Sequence, residues 1–282
     1  MILPVEDEFN DVLSKAQKAQ GLSTEELSQR CGIAESLIRA ARRGEFDEAV
    51  VRALAEELGL RRDALLSLAS GDWRPKEVGE IEGFAMVCSP FHDWQVNAFL
   101  VWDAASQKAI AFDTGTKAEP LIAEIERRGL ALEAVILTHA HWDHYEAAPE
   151  LLKRWPAARV FLGAKDGAVS VPSEAMEEGF AFGIGALQIA GFYTPGHTSG
   201  GMTFTVSGLA RPLAIVGDAL FAGSMGAANT SYEDALVSLS RILSLNPDTV
   251  LAPGHGPLTT VKEEREMNCF APSALPWNSS ET

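Results

Sequence analysis

The sequence predicts a layered α/β domain preceded by a small all-α domain, and two observations carry this prediction. Residues 9–68 show the apolar spacing of amphipathic helices. From residue 83 onward, short β-branched runs alternate with helical stretches, which is typical of sheets covered by helices. The polar, turn-forming segment 70–75 separates the two patterns. We therefore expect domains at residues 1–70 and 71–282.

The all-α part contains a pair of helices joined by a short turn. Ser23 and Glu26 have the spacing of a capping box, which predicts a helix that begins at Thr24. A turn at residues 31–33 leads to a second helix over residues 34–43. This arrangement resembles the repressor-type helix-turn-helix domain of lambda repressor and Cro relatives. The resemblance implies that the second helix of the pair would enter the major groove of DNA.

The side chains on that second helix do not favour DNA as a partner. Its early positions, residues 34–36, carry Ala, Glu and Ser, none of which makes a bidentate contact to a base edge. Arg39, Arg42 and Arg43 could touch phosphates, so weak DNA binding stays open. The alternatives are packing, docking of a protein partner, or formation of a homo-oligomer through residues 1–70.

Composition limits the classes of protein to which the chain can belong. Its 282 residues are 46% hydrophobic, and no apolar run reaches the length of a membrane span. The first residues are acidic where a secretion signal would be basic, so we expect a cytoplasmic protein. Three widely spaced cysteines predict neither a disulfide framework nor a thiolate site. The net charge of −16 disfavours polyanionic partners.

Strand and helix patterns alternate through the second part of the chain. Short runs rich in Val, Ile, Leu and Ala suit strands that are covered on both faces. Longer stretches with helical spacing suit the covering helices. The strand-like runs are residues 83–87, 96–102, 109–112, 134–137, 159–162, 187–192, 213–216 and 249–252, and the helical stretches are residues 121–128, 145–154 and 232–245.

The run 134–137 leads into the densest group of ligand-type side chains in the chain. After Thr138 come His139, His141, Asp143 and His144, all within six residues. A strand end is a rigid support for ligands. Four such side chains on one turn can face two neighbouring centres, whereas a single metal ion would not use all four comfortably.

Three further strand-like runs lead into a ligand-type residue that follows a glycine. These residues are His197, Asp218 and His255, and the glycine lets the backbone turn sharply before each of them. With the central motif they supply five imidazoles and two carboxylates, a donor mixture suited to zinc, iron or manganese. We expect the sixth histidine, His92, to be structural.

The order H-x-H-x-D-H, then His, Asp and His, resembles the metallo-β-lactamase superfamily over roughly residues 76–270. The resemblance implies an αββα sandwich with metal ions at one edge of two sheets. By the same resemblance, His139, His141 and His197 hold a first ion. Asp143, His144 and His255 hold a second, and Asp218 bridges the two. We expect two divalent ions, with zinc ahead of iron or manganese.

The resemblance also indicates a branch of the superfamily and a reaction. Asp218 stands where the best-known class B β-lactamases carry Cys, which points toward the glyoxalase II and lactonase side. Phe221 replaces the tyrosine of the quorum-lactone hydrolases, and residues 253–260 look like those of glyoxalase II-like hydrolases. We therefore expect metal-assisted hydrolysis of a thioester or other small ester, as in hydroxyacylglutathione hydrolases. Asp143 is the candidate for orienting the attacking water and shuttling its proton.

A reading from another class keeps the metal domain as a sensor. Binding of a metal or small ligand would then alter how residues 1–70 dock on DNA or on a protein partner.

Several residues near the motif have open roles. Asp113 can accept the far N–H of a ligand histidine or cap its own turn. Thr138, Thr198 and Ser199 are expected to support the ligands or the turns. Trp142 either lines the pocket or packs beneath the loop.

Overall fold

The computed structural model describes residues 3–92 and 94–272. The first part of the chain folds into helices that agree with the predicted all-α pattern. Their bounds are α1 Phe9–Ala19, α2 Thr24–Cys31, α3 Glu35–Ala41, α4 Glu48–Glu57 and α5 Arg62–Ser70.

The start of α2 confirms the predicted capping box. The Ser23 hydroxyl accepts a hydrogen bond from the Glu26 N–H, and the Glu26 carboxylate accepts one from the Ser23 N–H. Gly32 ends α2 in the left-handed conformation, at a φ of 69°. The turn at residues 32–34 then leads into α3.

Each of the three arginines at α3 contacts another side chain of the helical region. Arg39 and Arg43 pair with Glu35 and Glu45, respectively. Arg42 donates a hydrogen bond from Nε to the Ser14 hydroxyl, at 3.3 Å. Both ion pairs lie at the surface, where the Arg39 and Arg43 side chains are 58% and 63% exposed.

The second part of the chain forms two six-stranded sheets. The first has the spatial order β1-β2-β3-β4-β5-β6, and the second has the order β12-β11-β10-β9-β8-β7. The strands are β1 Phe84–Phe91, β2 Trp94–Asp103, β3 Lys108–Phe112, β4 Ala131–Ile136, β5 Arg159–Gly163, β6 Glu174–Met176, β7 Phe180–Ile184, β8 Leu187–Tyr193, β9 Met202–Ser207, β10 Leu213–Gly217, β11 Val250–Pro253 and β12 Thr259–Thr260.

Strand directions bring the ends of several strands to one edge of the sandwich. In the first sheet, β3, β4, β5 and β6 are parallel. In the second sheet, β10 and β11 are parallel, and β8 runs in the same direction because both it and β10 pair antiparallel with β9. The chain therefore leaves each of these strands on the same side of its sheet.

The two sheets pack face to face, and helices cover both outer faces. Phe99, Phe112 and Phe204 are fully buried between the sheets. The outer face of the first sheet is covered by α6 and α8, and that of the second sheet by α9 and α10. These later helices are α6 Glu119–Arg128, α7 Trp142–Tyr145, α8 Ala148–Arg154, α9 Tyr232–Leu243 and α10 Val261–Met267. The fold is thus the α/β sandwich with two sheets.

The helix predicted over residues 145–154 is α8, which begins three residues later, at Ala148, because a break separates it from α7, which ends at Tyr145. The backbone near the break is hydrogen-bonded to the segment after β3. The His144 carbonyl accepts from the Thr114 N–H, and the Ala147 N–H donates to the Gly115 carbonyl. These long-range bonds hold the backbone of residues 144–147 in place, and α7 ends after four residues.

The N-terminal helices share one hydrophobic core with the second sheet and its helices. Val12 and Leu13 of α1 belong to the same buried cluster as Leu220, Met225 and Leu239. Within the described residues, no helix is both long enough and apolar enough to cross a membrane.

Candidate metal centre

All seven side chains singled out in the sequence lie together at one edge of the sandwich. They fall into two adjoining groups in which the potential ligand atoms lie within 4.8 Å of one another. His139, His197, Asp218 and His255 follow β4, β8, β10 and β11, while His141, Asp143 and His144 lie at or in α7. The first group is His139, His141, His197 and Asp218, and the second is Asp143, His144 and His255.

The first group presents its nitrogen atoms to a common centre. His141 Nδ1 lies 3.0 Å from His139 Nε2 and 2.9 Å from His197 Nε2. His197 Nε2 lies 3.4 Å from Asp218 Oδ2. Four ligands placed tetrahedrally at zinc distances would be about 3.3 Å apart, so the first group has the dimensions of one such ion.

The second group has similar dimensions. Asp143 Oδ2 lies 3.3 Å from His255 Nε2 and 3.6 Å from His144 Nε2. Asp218 faces this group as well, because its Oδ1 is 3.4 Å from His144 Nε2 and its Oδ2 is 3.7 Å from His255 Nε2. Asp218 is therefore the one carboxylate that borders both groups.

Two buried atoms at the centre have no hydrogen-bond partner among the described residues. They are His144 Nε2 and Asp218 Oδ1. Such atoms are costly to bury unless another group satisfies them. Because they face each other between two ligand groups, a cation is the partner that suits both.

Four of the five rings are held by their outer nitrogen, which leaves Nε2 free to face inward. His197 Nδ1 lies 2.8 Å from the Ala227 carbonyl, and His255 Nδ1 lies 3.0 Å from the Gln95 carbonyl. His139 Nδ1 lies 3.0 Å from the Thr138 hydroxyl, and His144 Nδ1 lies 2.8 Å from Asp113. Partners of this kind fix the tautomer and the orientation of a ligand ring.

Asp113 lies at the centre of this supporting network and is fully buried. Its Oδ2 contacts His144 Nδ1 and accepts a hydrogen bond from the Thr138 hydroxyl, at 2.8 Å each. Its Oδ1 accepts from the Thr138 N–H at 2.8 Å. Asp113 has a positive φ of 54°, which is uncommon for a residue other than glycine. Of its two open roles, the structure favours that of partner to a ligand histidine.

Asp166 is a supporting residue that no motif or spacing in the sequence singles out. Its Oδ2 accepts hydrogen bonds from the Ala140 N–H at 2.8 Å and from the Thr198 hydroxyl at 3.1 Å, and its Oδ1 accepts from the Gly200 N–H at 3.1 Å. Ala140 lies between His139 and His141, while Thr198 follows His197. Asp166 therefore ties together the two loops that carry the first group.

The backbone at Gly254 lies so close to Asp218 and His144 that no side chain fits there. A Cβ atom there would overlap Asp218 Oδ1 and lie 2.6 Å from His144 Cε1. A glycine is therefore required before His255, because it lets the backbone of the second sheet come close enough to place the His255 ring at the centre.

Burial and charge act in opposite directions on the groups at the centre. Burial favours the neutral form of Asp218, but the surrounding His255, His144 and His197 rings hold its pKa well below the ordinary value. Burial also disfavours the charged form of His255, yet Asp218 and Asp143 raise its pKa to about 10. The carboxylates therefore supply a strongly negative environment in which positive charge is stabilised.

Aromatic side chains form one rim of the centre. The Phe91 ring lies 5.6 Å from the Trp142 ring and 5.6 Å from the His255 ring. Trp142 is 47% exposed, so the rim offers apolar surface to a ligand. His92 is exposed and contacts Phe91 and Trp142, and it belongs to neither ligand group.

The loop of residues 219–229, which we call the Phe221 loop, is anchored from the C-terminal side by a buried network. Glu264 accepts hydrogen bonds from the Gly223 N–H, the Thr259 hydroxyl and the Asn268 amide, at 2.8–2.9 Å. Burial raises the pKa of Glu264 to about 7. Asn268 also donates to the Ser224 carbonyl at 2.6 Å.

Comparison with known proteins identifies the class that this fold and site define. The sequence model of the metallo-beta-lactamase superfamily matches residues 93–255. The chain therefore belongs to the metallo-β-lactamase superfamily, and it is a metallo-hydrolase of that superfamily with glyoxalase II-like homologues.

Individual relatives share a modest level of identity. Hydroxyacylglutathione hydrolase GloC of Haemophilus influenzae is 30% identical over 204 residues, which cover 64% of this chain and 95% of the relative. The crystal structure of the BLEG-1 B3 metallo-beta-lactamase is 27% identical, with a TM-score of 0.57 over 66% of this chain and 97% of that one. TTHA1623 in a di-iron-bound form is 28% identical, with a TM-score of 0.54 over 64% and 98%.

Proposed function

We propose that the chain is a dinuclear metal-dependent hydrolase that acts on a thioester or other small ester. The name of its hydroxyacylglutathione hydrolase relatives indicates a substrate of this kind. The observation that carries this proposal is the convergence of seven side chains into two adjoining, ion-sized groups that share Asp218.

The donor set fits two divalent ions. His139, His141 and His197 would hold one ion, while Asp143, His144 and His255 would hold the other, with Asp218 between them. Imidazole and carboxylate ligands suit zinc, and they also suit iron or manganese. We propose zinc, although the relative TTHA1623 holds two irons.

Metal content tests the ligand assignment separately from activity. We expect about two ions per chain in the purified protein and a loss of at least one in the variants His141→Ala and Asp218→Ala. His92→Ala is the matched control, because His92 lies at the rim and outside both groups. If His141→Ala and Asp218→Ala keep the metal content of His92→Ala, the ligand assignment is wrong.

The bound ions would supply Lewis acidity and would lower the pKa of water at the site toward about 7. The residues of the chain then provide orientation and proton transfer. The Asp143 carboxylate belongs to the second group, its side chain is 8% exposed, and it can accept the proton of the attacking water. Asp113, Thr138 and Asp166 hold the ligand loops in place, so the geometry exists before a substrate arrives.

The substrate proposal has three supports. The chain and the 30%-identical GloC relative share the superfamily fold over most of the length of that relative. Asp218 supplies a hard oxygen ligand between the groups. The exposed Trp142 side chain at the rim can pack on the apolar part of an acyl group.

A panel of S-acylglutathione thioesters, lactones, β-lactams and phosphodiesters tests this choice on the metal-loaded protein. We expect turnover of a thioester or ester, and a fall in kcat by orders of magnitude in His141→Ala. Turnover of phosphodiesters alone would contradict the thioester proposal while leaving metal-dependent hydrolysis in place. Activity that survives full metal removal would contradict both.

A further inference from the structure

The Phe221 loop contacts predicted ligands of both groups. Its Ala227 carbonyl lies 2.8 Å from His197 Nδ1, and its Gly226 N–H donates to the Asp218 carbonyl at 3.0 Å. The Phe221 ring stands edge-on to the His255 ring, with 5.8 Å between centroids. A shift of this loop would therefore move the surroundings of His197, Asp218 and His255 together.

An ion pair in the N-terminal helical region is hydrogen-bonded to this loop. The buried Asp7 carboxylate accepts hydrogen bonds from Lys15 Nζ and from the Ser224 hydroxyl, at 2.6 Å each. Lys15 Nζ also donates to the Met225 carbonyl at 3.0 Å and lies 4.8 Å above the Phe221 ring. Both Asp7 and Lys15 thus have a second partner inside the Phe221 loop.

The chain just before this pair lies against the turn that carries His255. A Cβ atom added at Gly256 would lie 3.1 Å from the Glu6 nitrogen and 3.5 Å from Glu6 Cβ. Val5 and Phe9 are buried in the same cluster as the apolar residues of the Phe221 loop. The segment 4–15 therefore covers two neighbouring parts of the site, the His255 turn and the Phe221 loop.

We propose that the segment 4–15 forms one wall of the substrate cleft, and that the Asp7–Lys15 pair is a positioning device that sets the Phe221 loop. The N-terminal helical region is then part of the catalytic unit. The kinetic consequence of this inference rests on the proposed hydrolase function. The contact between the pair and the loop can be tested without any measurement of turnover. The segment lies outside residues 93–255, which match the superfamily model, so the wall is an addition to the matched region.

The mechanism of positioning follows from the buried setting of the pair. If Lys15 loses its ammonium group, Asp7 keeps a buried negative charge with one hydrogen bond fewer, and the Met225 carbonyl loses the shorter of its two hydrogen bonds. An unpaired buried charge is costly, so the loop is expected to move toward solvent to relieve it. None of the seven ligand side chains is removed by this change.

The test compares Lys15→Met with Lys18→Met in the full-length, metal-loaded protein. Lys18 lies one turn further along the same helix and is exposed, so it is a matched control. Hydrogen–deuterium exchange in peptides that cover residues 219–229 should rise about tenfold in Lys15→Met and stay at the wild-type rate in Lys18→Met. Lys15→Arg, which keeps a cation, should restore most of the protection.

Kinetics give a second readout. With the substrate that the panel identifies, Lys15→Met should lower kcat/KM about tenfold relative to Lys18→Met, because the displaced loop changes both the wall and the surroundings of His197, Asp218 and His255. Equal exchange in Lys15→Met and Lys18→Met, or an equal kcat/KM, would overturn the proposal.

Ser224→Ala keeps the test decisive if Lys15→Met does not fold. This variant removes one hydroxyl contact to Asp7 and should raise exchange in the loop in the same direction, by a smaller factor. Wild-type exchange in Ser224→Ala would then overturn the proposal. If no substrate of the panel is hydrolysed by the wild-type protein, the proposed function fails, while the exchange comparison still decides whether the pair sets the loop.

Discussion

Replacing Asp113 by Asn should weaken metal binding at the second group selectively. The carboxylate faces three hydrogen-bond donors, namely the Thr138 N–H, the Thr138 hydroxyl and the His144 Nδ1–H. An asparagine side chain offers only one acceptor oxygen. Either orientation of its amide places the NH₂ group against an N–H donor, from Thr138 or from His144.

The size of the effect follows from the tautomer of His144. Loss of the acceptor at Nδ1 favours the form that carries its proton on Nε2, and this form cannot bind a cation through Nε2. Loss of such a partner typically lowers metal affinity by about 10–100-fold, which corresponds to about 1.4–2.7 kcal/mol. The first group does not use His144, so its affinity should change much less.

Calorimetric titration of the metal-free protein with zinc checks this prediction. We expect two resolved binding steps in the wild type. Asp103→Asn is the control, because Asp103 also accepts three hydrogen bonds, from the N–H and the hydroxyl of Ser106 and from the Ala186 N–H, but belongs to neither ligand group. Two wild-type affinities in Asp113→Asn would refute the reasoning, as would equal weakening in Asp103→Asn.

Three further predictions concern the supports of the site and the core. Asp166→Ala should lower affinity at the first group by about tenfold, measured by the same titration, because its two ligand loops lose their common acceptor. Glu264→Gln should remove a pH-dependent loss of stability worth about 3 kcal/mol between pH 4.5 and 7, measured by urea unfolding relative to wild type. Phe204→Ala should destabilise the fold by about 3–5 kcal/mol, because the ring is fully buried between the sheets.

The sign for Glu264 follows from proton binding in the two states. Its pKa is about 7 in the folded protein and near the ordinary 4.5 when unfolded, so the folded state holds the proton more tightly. The stability that this proton contributes is fully present below pH 4.5 and is lost as the pH rises through 7. In Glu264→Gln the amide NH₂ can donate to the Thr259 hydroxyl, and its oxygen can keep the other donors. Equal pH slopes in the variant and the wild type would contradict this account.

Outcomes that oppose the other two predictions are equally specific. A change at the second group alone in Asp166→Ala would show that Asp166 does not hold the first-group loops. A loss below about 1 kcal/mol in Phe204→Ala would show that the inter-sheet core can close around the missing ring.

The clustering of the seven candidate ligands could be predicted from the sequence because much of the signal is local. Four of the seven residues lie within six positions, and each of the other three follows a glycine at the end of an apolar run. The directions of the strands then bring these residues together, because β4, β8, β10 and β11 all end at one edge of the sandwich. The alternation of strands and helices predicted only a layered α/β domain, and the two-sheet sandwich was an expectation from the superfamily resemblance, which the structure confirms.

Residues that act across long sequence separations could not be predicted in the same way. Asp166 follows an ordinary strand, and only the fold brings it to Ala140 and Thr198. Nothing in the spacing of Asp7 and Lys15 shows that they reach Ser224 and Met225, more than 200 positions away.

Some elements lacked a clear pattern of their own. Strands β6 and β12 have only three and two residues, too few to show a periodicity. The break between α7 and α8 depends on backbone bonds to residues 114–115, which no local propensity encodes. The division into domains at residue 70 rests on the turn-forming segment 70–75 and stays a prediction. The packing of α1 against the Phe221 loop has no local signal in the sequence.

Anomalous diffraction from crystals of the purified, metal-loaded protein is the most direct test of the central claim. The account predicts two peaks per chain, one in each ligand group, with ligand atoms at about 2.0–2.2 Å and Asp218 in contact with both. A single peak away from these side chains, or two ions held without Asp218, would contradict it.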